Sequence, residues 1–361
     1  MLLHEASTGK RWSDGQANEW YARQPWPVGC NYIPATAVNQ LEMWQRESFD
    51  EETIGRELAW AEGLGFNTLR VFLHDLAWLD DAEGFKARMG RFLDAAARHG
   101  LRVIPVLFDD CWNGNPAIGP QPAPVPGVHN SRWVQSPGWR VVRDPVAWNR
   151  LEAYVRDVVG AFAADDRVLL WDLYNEPGNR LLHQLSLPQP SKALHLAAGA
   201  VRHLLLPSPS LPLLRRTFAW ARAARPRQPL SAGLWSVHPA LTRILLAESD
   251  VITFHDYGDA RGLEKRIRRL KALGRPVLCT EYMARTKGSR FETHLPVFRR
   301  EKVGCMNWGL VSGRTQTIWT WRSRGTGGEP EVWYHDILRP DGSPYDPAEV
   351  EVIRRHTAPP R

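Results

Sequence analysis

Trp171-Asp172-Leu173-Tyr174-Asn175-Glu176-Pro177 runs an apolar stretch straight into a glutamate, and Pro276-Val277-Leu278-Cys279-Thr280-Glu281-Tyr282 repeats the pattern further along. A carboxyl group at the end of a buried strand is held on well-fixed backbone, and burial raises its pKa. Working outward from these two segments, apolar strand-like runs recur at 26–34, 67–74, 102–109, 168–176, 230–235, 251–257, 276–282 and 304–311. Helix-like patterns separate them, and this alternation predicts a parallel sheet with crossover helices. Eight runs is the number that a closed (β/α)8 TIM barrel requires.

The intervening helices carry readable ends. Asp50-Glu51-Glu52 supplies a cap and an acidic first turn, with Gly63 and Gly65 at the exit. Asp144-Pro145 places a cap and a proline before Trp148, Leu151, Tyr154, Val155, Val158 and Val159. Leu263, Ile267, Leu270 and Leu273 repeat at helical spacing up to Gly274 and Pro276. Two long loops, after strands 3 and 4, break the rhythm. Residues 111–143 are rich in proline and glycine and far exceed a median loop of about 4–6 residues, so they are expected over the C-terminal mouth of the barrel. Residues 178–212 follow the first glutamate and read as an inserted lid-like segment, with a short amphipathic helix over 193–206. The whole of 1–361 is expected to be one catalytic domain.

At 361 residues, one barrel of about 250 residues with insertions accommodates the chain. No apolar run approaches the roughly 20 residues needed to cross a bilayer, so no membrane partner is expected. The N-terminus lacks a basic region followed by an apolar one, which fits a cytoplasmic location or a leader absent from this chain. The net charge of +7 rests on arginines such as Arg222, Arg225, Arg227, Arg266, Arg268 and Arg269, which read as a solvated exterior. They are not interleaved with aromatics as nucleic-acid binding requires. Cys30, Cys111, Cys279 and Cys305 have no metal-ligand spacing and are expected as buried free thiols. Seventeen tryptophans are many, and Trp112, Trp133, Trp139, Trp235, Trp308, Trp319, Trp321 and Trp333 fall in or beside loops at strand ends. Indole faces there suit the apolar faces of sugar rings.

Reactive residues of such barrels sit at C-terminal strand ends. In order these are Asn31 and Tyr32, Arg70 and His74, Asp109 and Asp110, Asn175 and Glu176, Trp235, His255 and Tyr257, Glu281, and Trp308. Two facing carboxyl groups are the working parts of glycosidic bond cleavage, one donating a proton and one attacking. Glu281 is expected to be the ionised nucleophile, with Arg70 and Tyr257 supporting its charge. Glu176 is expected to be the protonated acid/base, and Asn175 to contact the sugar 2-hydroxyl. Asn31, His74, Asp109, Asp110, Trp112, Trp235, His255 and Trp308 complete the expected substrate-binding set. The acidic pair after strand 3, with His74 or His129, offers too few oxygens for a hard cation, so no metal is expected.

These residues resemble those of a clan A glycoside hydrolase, most similar to family 5 and its cellulase-like relatives. Asn175-Glu176-Pro177 matches the acid/base motif after strand 4, and Glu281 the nucleophile after strand 7. Arg70, His255-Asp256-Tyr257 and Trp308 match further site positions, so the similarity spans about residues 26–345. The resemblance implies a retaining double displacement on a β-linked oligo- or polysaccharide, without a cofactor. Phe108-Asp109-Asp110-Cys111-Trp112 departs from the family, many of whose members carry a histidine there, and the insertion at 178–212 is a second departure. A carbohydrate-binding pseudoenzyme is a rival reading. Another is a barrel enzyme on a phosphorylated substrate held by Ser312-Gly313-Arg314-Thr315. Sugar identity, endo or exo action and oligomeric state are not legible.

Overall fold

Parallel pairing of the apolar runs builds the frame. The computed structural model describes residues 9–179, 208–325 and 328–358. Its strands are β1 (Val28–Tyr32), β2 (Thr68–Phe72), β3 (Arg102–Val106), β4 (Trp171–Asp172), β5 (Leu230–Ser231), β6 (Ile252–His255), β7 (Val277–Tyr282) and β8 (Gly304–Trp308). They lie in the order β5-β4-β3-β2-β1-β8-β7-β6. The two ends of that order meet where Leu234 bridges Phe254 in parallel, with Leu234 N donating to Thr253 O at 2.8 Å and His255 N to Leu234 O at 3.1 Å. The sheet is thus a (β/α)8 barrel.

Among the described residues, eight helices surround it: α1 (Glu51–Gly63), α2 (Ala82–Arg98), α3 (Trp148–Ala161), α4 (Ser210–Ala223), α5 (Pro239–Glu248), α6 (Ala260–Lys271), α7 (Phe291–Glu301) and α8 (Pro347–Thr357). The expected Asp50 cap accepts from Thr53 N, and Gly65 leaves α1 at φ 74°. Each helix buries one stripe: Leu151, Tyr154, Val155, Val158 and Val159 on α3 pack in the shell between barrel and helices. Two arginines depart from the solvated exterior read from sequence. Arg222 is buried and pairs with Asp250 at 3.0 Å, and Arg266 turns inward to the carbonyls of His255 and Leu234. Both satisfy carbonyl groups where helices meet strand ends. The lid-like reading of 178–212 and the helix at 193–206 fall largely in 180–207, outside the described residues.

Strand side chains alternate between the helix shell and the barrel interior. Ile104, Leu170, Leu278 and Met306 fill the lower interior, closed from below by Trp12 and Ala17 of the segment containing the helix Asp14–Ala22. Asn31 and Arg70 are register partners, as are Arg70 and Ile104, so all three point inward. Above the apolar layer the interior is therefore polar. Phe72 and Val106, with Cys111, Trp112 and Trp133, form an apolar rim at the mouth. A buried polar layer at one end of an apolar barrel is stable when most of its groups are paired.

Candidate active site

Arg70 is the hub of that layer. It is fully buried, and all five of its N–H donors are used. Nε donates to Asp172 Oδ2 at 2.9 Å, one terminal nitrogen to Asn31 Oδ1 and Glu281 Oε1, both at 2.8 Å, and the other to Asn175 Oδ1 and Asp172 Oδ2, both at 2.8 Å. Burial opposes the guanidinium charge, but Asp172 and Glu281 more than offset it and raise the pKa.

Glu281 reaches this hub because β7 is bulged. Cys279 and Tyr282 both pack into the outer shell, Tyr282 against Phe291 and Phe298 of α7. Outward residues three apart break the two-residue period of a strand. The pairing shows the extra residue: Phe254 opposes Cys279 but His255 opposes Glu281, and Cys279 opposes Cys305 but Tyr282 opposes Asn307. One inserted residue moves Glu281 to the inward face. There Oε1 accepts from Arg70, and Oε2 accepts from Tyr257 Oη at 2.8 Å with His255 Nδ1 3.4 Å away. Burial pushes the Glu281 carboxyl up, while His255 and Arg70 pull it down and Glu176 adds repulsion.

Glu176 sits where β4 leaves the barrel. Its φ of 44° is uncommon for a residue with a side chain, and Gly178 follows at φ 84°. Asp110 ties this turn down: its carboxylate accepts from Tyr174 Oη at 2.8 Å, from Gly178 N at 2.5 Å and from Ser210 Oγ. Glu176 Oε1 lies 2.8 Å from His255 Nδ1, and Oε2 accepts from Cys111 Sγ at 3.3 Å and from Asn179 Nδ2. Burial lowers the His255 pKa to about 4, so the ring is neutral near pH 7. Its Nε2 is buried without a partner and packs so close to Gly233 that a Cβ there would lie 2.9 Å away. We assign the single ring proton to Nδ1, where it is donated to Glu176.

Glu176, His255 and Glu281 each place one polar atom within 4.8 Å of the others. Among the described residues this is the one cluster close enough to share a cation, and Arg70 already neutralises Glu281. All three line a cleft of 1120 Å³ at the barrel mouth, together with Trp112, Asn175, Trp235, Tyr257 and Trp308 from the expected set. Asn31, Arg70, His74, Asp109 and Asp110 do not line it. Asn31 and Arg70 lie beneath its floor. Asp109 accepts from Trp133 Nε1 at 2.7 Å, Asn175 Nδ2 at 2.9 Å and Cys111 N at 2.9 Å, and so fixes the β3 and β4 loops together. His74 caps the helix Asp75–Asp80 and contacts Gln135 O at 3.0 Å. The carboxylates of the pair and the ring nitrogens of His74 thus have partners within the protein. Trp139 and Trp333 also lie away from the cleft, on Arg143 and Tyr345. Arg314 of the candidate phosphate cradle pairs with Glu42 at 2.7 Å.

Cys111, Asn179, Asp172, Lys287, Arg322 and Tyr334 were missed. Cys111 and Asp172 stood in the motifs already singled out. The other four are loop residues with no periodic signal.

No protein-family model matches the sequence, and no curated protein matches it. Solved structures do match the fold. A GH5_18 protein from Streptomyces cattleya in complex with GlcNAc superposes with a TM-score of 0.61 at 17% identity, over 93% of this chain and 81% of that one. The exo-β-1,4-mannosidase Op5Man5 from Opitutaceae bacterium strain TAV5 gives 0.57 at 20% identity, over 100% of this chain and 64% of that one. The endo-β-1,4-mannanase from Thermotoga petrophila gives 0.54 at 15% identity, over 91% and 76%. The chain therefore has the (β/α)8 fold of these solved structures, the first of which is a GH5_18 protein.

Proposed function

We propose that the protein is a retaining β-glycoside hydrolase in which Glu281 is the nucleophile and Glu176 the acid/base. The observation that carries this is the pair itself: two carboxylates with oxygens within 4.8 Å, Glu281 bound by the buried Arg70 and Glu176 in contact with His255 and Cys111. Retaining enzymes hold their carboxyl groups about 5–5.5 Å apart, whereas inverting ones leave about 6.5–9.5 Å for a water. Two carboxylates this close share a proton, and we assign it to Glu176 because Arg70 supports the charge of Glu281. Glu281 is then ionised and attacks the anomeric carbon while Glu176 protonates the departing oxygen. The covalent glycosyl-enzyme is released by a water that Glu176, now ionised, deprotonates. Asn175, held by Arg70 and Asp109, is assigned to the sugar 2-hydroxyl, and Trp112, Trp235 and Trp308 to the sugar faces.

Mannosidase and mannanase activity among the fold neighbours makes β-mannosides the first substrates to try. Incubation with 4-nitrophenyl β-glycosides, followed by proton NMR of the first-formed sugar, tests the reading. Release of the β-anomer is expected. An α-anomer as first product, or no cleavage across the panel, overturns it and favours a carbohydrate-binding role.

Cys111 offers a finer check. Burial, then Asp109 and Glu176, push its pKa far up, so it stays a thiol and donates weakly to Glu176 Oε2. Serine is a stronger donor and favours the ionised glutamate. Cys111→Ser is expected to move the alkaline limb of kcat/KM down by about half to one pH unit, and Cys111→Ala to move it up. Superimposable pH profiles for the three proteins contradict the acid assignment.

A further inference from the structure

We propose that the cleft contains an anion-binding subsite, formed by Lys287 and Arg322 beside Trp321, which takes a sugar bearing a carboxylate, sulfate or phosphate group next to the nucleophile. This rests on the glycosidase reading for its place in the reaction, although binding tests it alone.

Lys287 ends the turn Arg285–Lys287 that follows β7, and Arg322 lies on the segment following β8. Both line the cleft that holds Glu281. Lys287 Nζ stands 4.0 Å from the centre of the Trp321 ring, and Trp321 packs edge-on against Tyr257 at 5.0 Å, the residue that donates to Glu281. One aromatic contact therefore separates the ammonium from the residue supporting the nucleophile. The opposing arrangement is a lysine extended into water, where its charge costs nothing to hold. Lys287 instead lies over an indole ring.

Among the described residues the charge of Lys287 has no carboxylate counterpart, nor has that of Arg322, whereas Arg266, the third cation of the cleft, is 3.4 Å from Asp256. Burial lowers the Lys287 pKa and Arg322 lowers it further, so the two cations repel one another. The stretch 180–207, contiguous in sequence with the cleft residue Asn179, contains no aspartate or glutamate. Two like charges left close together in a concave site are best satisfied by an anion from outside. With Trp321 covered on one face by the ammonium and edge-on to Tyr257 and Tyr334, that end of the cleft selects by charge rather than by ring stacking.

The experiment compares 4-nitrophenyl β-glycosides that differ in one position: neutral hexosides, their uronate counterparts and their 6-sulfates and 6-phosphates. For the wild type, kcat/KM on one anionic series should exceed the neutral series by about tenfold to a hundredfold, and the preference should shrink in high salt. The series preferred tells a carboxylate from a sulfate or phosphate source. Lys287→Gln and Arg322→Gln should each lose at least about tenfold more on the anionic substrate than on its neutral partner. Titration calorimetry with free uronic acids, hexose 6-sulfates, hexose 6-phosphates and neutral hexoses reads the same subsite without turnover. Equal rates for charged and neutral substrates, or equal losses on both in the variants, overturn the subsite and leave the hydrolase standing. If no glycoside is cleaved, calorimetry decides: anion-selective binding lost in Lys287→Gln supports the subsite, and unselective binding removes it.

Discussion

Glu281→Ala is expected to lose on the order of 10⁵-fold in kcat/KM on every glycoside, because it removes the proposed nucleophile. Glu176→Ala should behave differently. On natural oligosaccharides, whose leaving groups need a proton, the loss should be about 10²–10⁴-fold. On 4-nitrophenyl glycosides the leaving group departs unprotonated, so the first step survives and the glycosyl-enzyme accumulates. Azide needs no general base, and adding it to Glu176→Ala should release the intermediate as a β-glycosyl azide. In Glu281→Ala the vacated space lies on the opposite side of the sugar ring, so azide should give the α-product. This stereochemical split discriminates the roles even when both variants are slow. The same azide anomer from both variants, or equal losses on good and poor leaving groups, contradicts the assignment. The assignment of the charge to Glu281 rests on Arg70, which sits 2.8 Å from it.

Much of this was legible because an apolar run that ends in polar residues, repeated through an alternating β/α chain, is what strands delivering those residues to one end of a parallel sheet must look like. The glutamates of strands 4 and 7 were visible on that ground alone. The inward turn of Glu281 was not. Simple alternation from Leu278 places Glu281 on the helix side, and one inserted residue in β7 reverses it without any mark in composition. Strand-end position also does not separate residues that line the cleft from those whose side chains are taken up within the protein. Asp109 and Asp110 occupy the expected strand end, yet their oxygens are taken by Trp133, Asn175, Tyr174, Gly178 and Ser210. Partners so distant along the chain are set by the closed barrel, not by local sequence. Asn179 and Cys111 were missed for the same reason, since their contact with Glu176 depends on the left-handed turn at that residue.

Arg70→Met should be the most damaging substitution for stability. The side chain is buried, and its removal leaves Asp172 and Glu281 as buried carboxylates without a cation and takes donors from Asn31 and Asn175. Breaking a buried pair on one side costs about 3–5 kcal/mol, against a total of about 5–15 kcal/mol for most domains. The urea midpoint should fall accordingly. Adding Asp172→Asn to Arg70→Met should restore part of the loss, because one uncompensated charge is then gone. Arg70→Lys keeps the charge but offers three donors in place of five, so it should be milder for folding than for catalysis. Burial already holds the Glu281 pKa above its usual range against the pull of His255 and Arg70, and without the fixed fork it rises further. The nucleophile must be ionised, so the acid limb of kcat/KM should move to higher pH in Arg70→Lys, by about one unit or more. A cation that merely pinned the strands together would lower stability and leave that limb where it was. An unchanged acid limb in a folded Arg70→Lys protein therefore separates a structural arginine from one that sets the charge of the attacking carboxylate.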